Sequence, residues 1–99
     1  MEAGNRLQEL GVAVGRIVAV SEHAGARAPS YLLTVDLGPQ GRHECSVPQG
    51  TYEPADLEGT QVVFARDGDD VIVLAARSHG GGFVLLRPDR EVEDGTIVA

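Results

Sequence analysis

The run His43, Glu44, Cys45 and Ser46 holds the side chains most capable of chemistry in this sequence. On a strand, His43 and Cys45 would point to one face, where an imidazole and a thiol can both bind a metal. A structural zinc site needs four ligands, so the competing interpretation is a packed thiol beside a partly exposed imidazole. Ser46 near His43 resembles a nucleophile and its base, but the glycines of a nucleophile elbow do not surround it. We therefore predict no catalytic residue, no metal and no cofactor.

Two other segments resemble ligand loops but lack essential members. Asp67, Asp69 and Asp70 look like half of a calcium loop, yet the remaining ligands and the closing Glu are missing. Residues 80–82 are three glycines without the Lys and the Ser or Thr that follow in a phosphate loop. Both segments are predicted to be turns.

The composition indicates a single acidic domain. The chain has 99 residues, of which 42% are apolar, and this length is ordinary for one domain. There are 15 acidic residues against 8 basic ones, all arginine, for a formal net charge of −7. Most of the acids lie in residues 51–99, so residues 1–50 are almost neutral. Because clustered positive charge drives nucleic-acid binding, any basic surface must come mainly from the first half.

The sequence carries no sign of a membrane or export signal. No apolar run approaches the ~18 residues of a membrane span, and the first residues lack the layout of a signal peptide. The single cysteine, Cys45, excludes an internal disulfide and fits a reducing compartment. We expect a cytoplasmic protein with no membrane partner.

Short apolar segments separated by turns predict an all-β domain. The predicted strands cover residues 12–20, 30–37, 42–47, 61–65, 71–76, 83–86 and a final short segment at 96–98. Tyr31, Leu33 and Val35 alternate with more polar residues, which is typical of a strand with one buried face. Gly15 interrupts the first strand, where it indicates a bend or bulge as the sheet curls.

One short helix is predicted at about residues 53–58, between the third and fourth strands. Pro54 suits the first helical position, and Gly59 suits the turn that ends the helix. A helix at this point favours an OB-fold, a five-stranded Greek-key barrel, over an SH3-like barrel. We expect this domain to span residues 12–99 with a small C-terminal β extension, after an N-terminal turn or arm over 1–11 whose Leu7 and Leu10 point inward.

Arginines and planar rings are the candidates for a nucleic-acid surface. Arg16, Arg27 and Arg42 would share one face of the barrel if the second and third strands pair as a hairpin. Tyr31 and His43 would then offer planes on which unpaired bases stack. Each has a plainer interpretation, because arginines on strands are usually solvated flanks and tyrosines more often belong to the core.

Several stretches of the sequence resemble one family. They include residues 13–18, the string Ala-Arg-Ala-Pro-Ser-Tyr at 26–31, residues 52–59 and the string Leu-Leu-Arg-Pro-Asp-Arg at 85–90. In this order they resemble the tRNA-binding domain family, an OB-fold found alone and appended to tRNA-handling proteins, and within it the CsaA-like secretion chaperones. The resemblance implies a homodimer that binds tRNA or, in the chaperone branch, unfolded and exported polypeptides.

The sequence departs from this family in two places. The family's third strand ends in a stretch of the Ser-Ser-Ala-Gln kind, and here Ser46 and Gln49 keep matching residue types. After the fourth strand the family carries a longer loop, usually with a basic residue, followed by a Ser-Glu pair. Residues 66–70 replace this loop, and Asp69 and Asp70 stand in the place of that pair. The region is therefore shortened and acidic.

We interpret the chain as a non-enzymatic tRNA-binding OB-fold protein. Its predicted nucleic-acid site comprises Arg16, Arg27, Arg42, Ser46 and Gln49. Arg27 and Arg42 would contact phosphates, and Ser46 would contact a base or the RNA backbone. The alternative is a dimeric chaperone that binds unfolded or exported polypeptides in an apolar groove. A third interpretation is a structural partner that has lost both ligands.

Overall fold

The computed structural model describes residues 10–80 and 82–99. Their strands are β1 (Val12–Glu22), β2 (Ser30–Asp36), β3 (Arg42–Pro48), β4 (Gln61–Asp67), β5 (Asp70–Val73), β6 (Ala75–Arg77) and β7 (Phe83–Leu85). Helix α1 covers Pro54–Leu57, between β3 and β4, and a 3₁₀ turn covers Gly38–Gln40. This order confirms the predicted all-β OB-fold with one short helix after the third strand.

Five strands form one antiparallel sheet in the order β3-β2-β1-β4-β5. β1 pairs with two strands: its first part, Val12–Arg16, pairs with β4, and its second part, Arg16–Glu22, pairs with β2. This change of partner rolls the sheet into a barrel. The two edge strands, β3 and β5, come close to each other, but no backbone hydrogen bond between described residues joins them. The barrel is therefore nearly closed, with one open seam between β3 and β5.

Inward side chains fill the barrel with one apolar core. On β2, Tyr31, Leu33 and Val35 are buried while their neighbours are partly exposed, which confirms the predicted alternation. The largest fully buried side chains are Phe64, Ile17, Leu33, Leu37, Leu57, Val35 and Val62. Because the core takes one face of each strand, the opposite face of β2 and β3 remains free for a ligand.

The irregularity in β1 lies away from the position that the sequence suggests. The register along β2 shifts between Ile17 and Ala19, so the prediction of a bulge at Gly15 was wrong, whereas the predicted bend of the sheet lies next to Arg16, where β1 changes its partner from β4 to β2. A Cβ at Gly15 would lie 2.7 Å from both Leu37 Cδ2 and Val35 Cγ1. Glycine is needed there because core side chains pack directly onto the backbone.

Helix α1 confirms the predicted start and end signals. Pro54 occupies its first turn, and the backbone N–H of Glu53 donates to Asp56 Oδ2 at 2.9 Å. Gly59 follows with a φ of 85°, which favours glycine. Leu57 is buried, so this single turn is held by its contact with the core rather than by helix propensity.

The C-terminal part differs in detail from the predicted strands. The segment 71–76 is split at Leu74, whose N–H donates to Val63 O and whose carbonyl accepts from Leu86 N. The residues beyond this break form the β6–β7 hairpin. The predicted strand 96–98 is reduced to one bridge between Ala13 and Ile97. The break arises because Leu74 bonds to two chain segments at once, which the residue pattern does not encode.

The N-terminal turn or arm was predicted over residues 1–11. Residues 1–9, including Leu7, lie outside the described residues, so only residues 10 and 11 of this segment can be compared. Leu10 is 59% exposed, so the expectation that it points inward was wrong for this single chain. Within the described residues, no helix is long and apolar enough to cross a membrane.

Candidate nucleic-acid interface

The outward side of β1, β2 and β3, here called the outer face, is the surface on which OB-folds bind oligonucleotides, together with the neighbouring loops. Its middle is formed by cross-strand neighbours, with Leu32 opposite Ser46 and Thr34 opposite Glu44. These side chains are small or uncharged except for Glu44. Positive charge must therefore come from the ends of the strands.

A hollow lies at one end of the outer face, where the β1–β2 loop meets the start of β2. It has a volume of about 410 Å³ and is lined by residues 22–24, 26–30 and 49. The loop is held in place because His23 N donates to Ser30 O at 2.9 Å and Ala26 N donates to His23 O at 3.1 Å. Arg27 is exposed on this loop, and no hydrogen bond or ion pair within the described chain engages its guanidinium. Its charge is free to meet an anion.

The hydroxyl of Ser46 joins the outer face to this loop. Ser46 Oγ lies 2.9 Å from His23 Nδ1; Ser46 is exposed and His23 is half-buried. A hydroxyl and an imidazole at this distance form a polar pair that can donate to or accept from a ligand, depending on the tautomer. His23 was not among the predicted site residues. Its place at the start of the segment 23–31 that resembles the family was the only sequence signal for it.

Gln49 fixes the loop from the opposite side. Its backbone N–H donates to Pro29 O at 3.1 Å, and its Nε2 donates to Ser30 O at 3.3 Å. The side chain is half-buried in this position. Gln49 therefore positions the segment next to Arg27 as well as lining the hollow.

The predicted arginines do not converge on one point. Asp36, at the far end of β2, is in register with both Arg16 on β1 and Arg42 on β3. Ser30 begins β2, so six strand steps of ~3.3 Å place these arginines roughly 20 Å from the β1–β2 loop. Arg42 is exposed, with its Nε 3.9 Å from Asp36 Oδ2. The structure brings together Arg27, Ser46 and Gln49 and leaves Arg16 and Arg42 at the other end.

Arg16 is held by groups of its own chain. Its Nε donates to Asp94 Oδ1 at 3.2 Å, and one terminal nitrogen donates to Gly59 O at 2.8 Å. The other terminal nitrogen lies 2.8 Å from Glu91 Oε1. The hydrogen bond to Glu91, followed by that to Asp94, raises the pKa of Arg16 above its ordinary value. Two carboxylates thus compensate its charge.

The two rings proposed for base stacking, Tyr31 and His43, are instead buried or half-buried and hydrogen-bonded within the chain. Tyr31 is buried in the core, where its hydroxyl donates to Tyr52 O at 2.9 Å, which confirms the plainer interpretation of this residue. Burial also raises the pKa of Tyr31. His43 is half-buried, with Nε2 2.9 Å from the carbonyl of Gln40. Neither ring is presented as a plane on the outer face.

Cys45 is a packed thiol. It lies in the apolar core, and burial raises its pKa to about 11. A thiol with so high a pKa is a poor nucleophile and a poor metal ligand at neutral pH. Within residues 10–80 and 82–99, no group of three or more His, Cys, Asp or Glu side chains is placed to hold a metal ion.

The turn between β4 and β5 adds negative charge to this side of the barrel. Asp67 and Asp70 are directly opposite each other across it, and Gly68 has a φ of 64°. Asp69 is also exposed at the turn. This confirms a tight turn and places three carboxylates where an OB-fold often contacts its ligand.

A second concavity follows the open seam and is here called the seam groove. It has a volume of about 200 Å³ and is lined by Ser46, Val47, Pro48, Ile72, Val73, Ala75, Arg77 and Phe83. Most of these side chains are apolar, and Arg77 supplies the positive charge. Sequence reasoning missed Arg77 because its segment carried no recognisable motif.

The amino-acid sequence is similar to parts of two curated enzymes. Methionine–tRNA ligase of Archaeoglobus fulgidus is 30% identical over 99 aligned residues, which cover 92% of this chain and 15% of the ligase. The ligase of the same name from Thermococcus kodakarensis is 31% identical over 98 residues, covering 91% of this chain and 13% of the ligase. The chain thus spans only a small fraction of these relatives. No known family model matches the sequence.

Solved structures share the whole fold. Chaperone CsaA from Bacillus anthracis has a TM-score of 0.82 and 30% identity, with 100% of this chain and 99% of that chain covered. CsaA from Picrophilus torridus has a TM-score of 0.83 and 26% identity, with both chains covered completely. A MetRS-related protein from Pyrococcus horikoshii has a TM-score of 0.79 over 100% of this chain and 98% of that chain. At 17% identity, this last likeness supports the fold alone.

Proposed function

The chain belongs to the tRNA-binding domain family of OB-folds, close to CsaA, and from this membership we propose that it is a non-catalytic module that binds tRNA. Two methionine–tRNA ligases are similar to it in sequence over 92% and 91% of its length, which supports an RNA ligand for this domain. The observation that carries the proposal is the cluster at the β1–β2 loop. There the free charge of Arg27 lies on the same hollow as Gln49, beside the Ser46–His23 pair.

In this proposal each residue of the cluster has a separate part. Arg27 contacts a phosphate, because its guanidinium is exposed and uncompensated. Ser46 and His23 contact a base edge or a ribose hydroxyl, and Gln49 holds the loop. Arg42 contacts a second phosphate farther along the strand. Arg16 supports the fold, because its own chain binds its guanidinium.

The acidic charge of the chain limits the affinity that we expect. With a formal net charge of −7 and carboxylates at the β4–β5 turn, non-specific attraction to phosphate is weak. Binding must then depend on a few local contacts. We expect it to be sensitive to the loss of Arg27 alone.

Fluorescence anisotropy with labelled bulk tRNA at low salt tests the proposal. Arg27→Ala should weaken binding by about tenfold, since a contact from a charged group to phosphate contributes on the order of 1.5 kcal/mol. Arg90→Ala is the matched control, because Arg90 is an exposed arginine next to its ion-pair partner Asp89. An unchanged affinity for Arg27→Ala, or equal losses in both variants, would contradict the role of the loop.

Polypeptide binding is the second candidate function. It is supported by the similarity over the whole chain to a protein described as chaperone CsaA and by the apolar lining of the seam groove. Suppression of the aggregation of a denatured client protein tests it. No suppression at a molar excess of the chain would remove this candidate.

We further propose that the chain forms a homodimer in the cytoplasm, where tRNA is used. Leu10 and Ile97 are 59% and 49% exposed, and Ile97 forms a bridge to Ala13, the second residue of β1. Both side chains therefore lie at the same edge of the barrel, where a second copy would cover them. Light scattering at micromolar concentration tests this, and a monomeric mass would contradict it.

A further inference from the structure

The seam groove has the shape of a site for one apolar side chain. Val47 and Val73 form its floor, because both point toward the core. Pro48 and Ile72 stand on either side of it, and Ile72 is 49% exposed. Phe83 closes the end, with its ring centroid 5.6 Å from that of Tyr52. A half-open apolar cleft of this size leaves Ile72 in water unless a ligand covers it.

The edges of the groove offer unpaired backbone groups. Leu37 N donates to Gly41 O, and along an antiparallel pair hydrogen-bonded and non-hydrogen-bonded positions alternate from that bond onward. Glu44 and Ser46 fall on non-hydrogen-bonded positions, so their N–H and C=O groups point away from β2. By the same reasoning, the bond from Leu74 N to Val63 O turns the backbone of Val73 away from β4. No backbone hydrogen bond within the described chain joins these two edges. The two edges come too close together for a further strand to be inserted between them, so these groups are available only to an occupant that lies over the groove.

The two ends of the groove carry opposite charges. β3 and β5 both run antiparallel to a neighbour of β1, so they point in the same direction. Glu44 precedes Ser46 on the outward side of β3, and Asp70 precedes Ile72 on the outward side of β5. The carboxylates at this end outnumber its one arginine, Arg42, which lies 3.9 Å from Asp36, and Arg77 lies at the other end. A uniformly negative RNA strand does not match this arrangement.

We propose that the seam groove binds an extended polypeptide segment with an apolar residue at its centre and charges of opposite sign on either side. The apolar residue contacts Ile72, Pro48 and Phe83. The basic residue lies near Glu44 and Asp70, and the acidic residue lies near Arg77. This inference rests on the second candidate function, polypeptide binding, and adds the surface and the charge pattern of its ligand.

Three labelled peptides that differ only in their flanking charges test the inference. Each has leucine at the centre, flanked by lysine and glutamate, by two lysines or by two glutamates. The unmodified chain should bind the lysine–glutamate peptide most tightly. Arg77→Glu should lower the affinity for this peptide by about threefold and raise the affinity for the two-lysine peptide by a similar factor, as expected for exposed ion pairs. Arg90→Glu is the matched control and should leave the order of affinities unchanged.

A second pair of variants tests the apolar contact. Ile72→Glu should lower the affinity for the preferred peptide by about tenfold. Val84→Glu is the control and should leave that affinity unchanged, because Val84 is 53% exposed and lies outside the groove. If denatured clients are bound but Arg77→Glu does not change the peptide order, the seam groove is overturned and polypeptide binding stands. If neither a peptide nor a denatured client is bound, both the seam-groove proposal and polypeptide binding are overturned. If Ile72→Glu abolishes tRNA binding instead, the groove belongs to the RNA and the inference is overturned.

Discussion

Gln61 on β4 and Asp94 near the C-terminus are joined by a hydrogen bond of 2.8 Å from Gln61 Nε2 to Asp94 Oδ1. The same amide donates to Val92 O at 2.6 Å and accepts from Val92 N at 3.1 Å. Arg16 binds Asp94 from β1. Gln61 is only 6% exposed and is the one polar residue buried in the described chain. One buried side chain therefore fastens the C-terminal segment to the barrel.

Gln61→Leu should lower the free energy of unfolding by about 1–2 kcal/mol, because three hydrogen bonds are lost without a change in side-chain size. Gln40→Leu is the control, since Gln40 is half-buried and its amide oxygen accepts one bond, from Arg66. Urea denaturation measures both. A larger loss for Gln40→Leu than for Gln61→Leu would contradict this account of the C-terminal segment.

Gly15→Ala should destabilise the chain by about 1–3 kcal/mol, because the added methyl group would enter a space already filled by the core. Its Cβ would lie 2.7 Å from atoms of Leu37 and Val35 and 3.1 Å from Phe64. Gly25→Ala is the control, as a Cβ there meets no atom within 4 Å. Thermal unfolding compares the two, and equal midpoints would show that the core yields more easily than we expect.

Stability should fall as the pH rises from about 9 to about 11. The thiol of Cys45 ionises near 9.0 when free of the fold and near 11 when buried, so in this range only the unfolded chain releases the proton. Release from the unfolded state favours unfolding, by on the order of 2 kcal/mol for a difference of this size. Denaturation curves at several pH values measure the decline.

Cys45→Ala separates this effect from the titration of tyrosines. The variant loses some packing at every pH, but its decline between these pH values should be shallower than that of the unmodified chain. The native thiol should also resist alkylation at pH 8.5 and become reactive in urea. A parallel decline in both proteins would contradict the assignment to Cys45.

Local patterns were sufficient to predict most of the fold. The alternation at Tyr31, Leu33 and Val35 reflects a strand with one buried face, and Pro54 and Gly59 mark the limits of a short helix. These signals are local because the backbone geometry of a strand or a cap depends on neighbouring residues. The order of such elements favoured an OB-fold over an SH3-like barrel, and the resemblance of four stretches to the tRNA-binding domain family supported that choice.

Relationships between distant residues were not predictable in the same way. The three arginines were expected on one face of the barrel. Alternation along a strand predicts the face on which a residue lies but not how close it is to residues of other strands. Arg16 and Arg42 lie at the end of the face away from Arg27. The contact between His23 and Ser46 joins a loop to another strand and has no local signature. Such contacts depend on how the sheet curls, which is a property of the whole barrel.

The salt dependence of tRNA binding, measured for the unmodified chain and for Arg27→Ala, tests the central claim most directly. If the β1–β2 loop contacts a phosphate through Arg27, the logarithm of the affinity should fall linearly with the logarithm of the salt concentration. In the variant, the magnitude of that slope should be smaller by about 0.7–0.9, the contribution of one phosphate contact. Identical slopes in the two proteins, or no binding of tRNA at low salt, would contradict it.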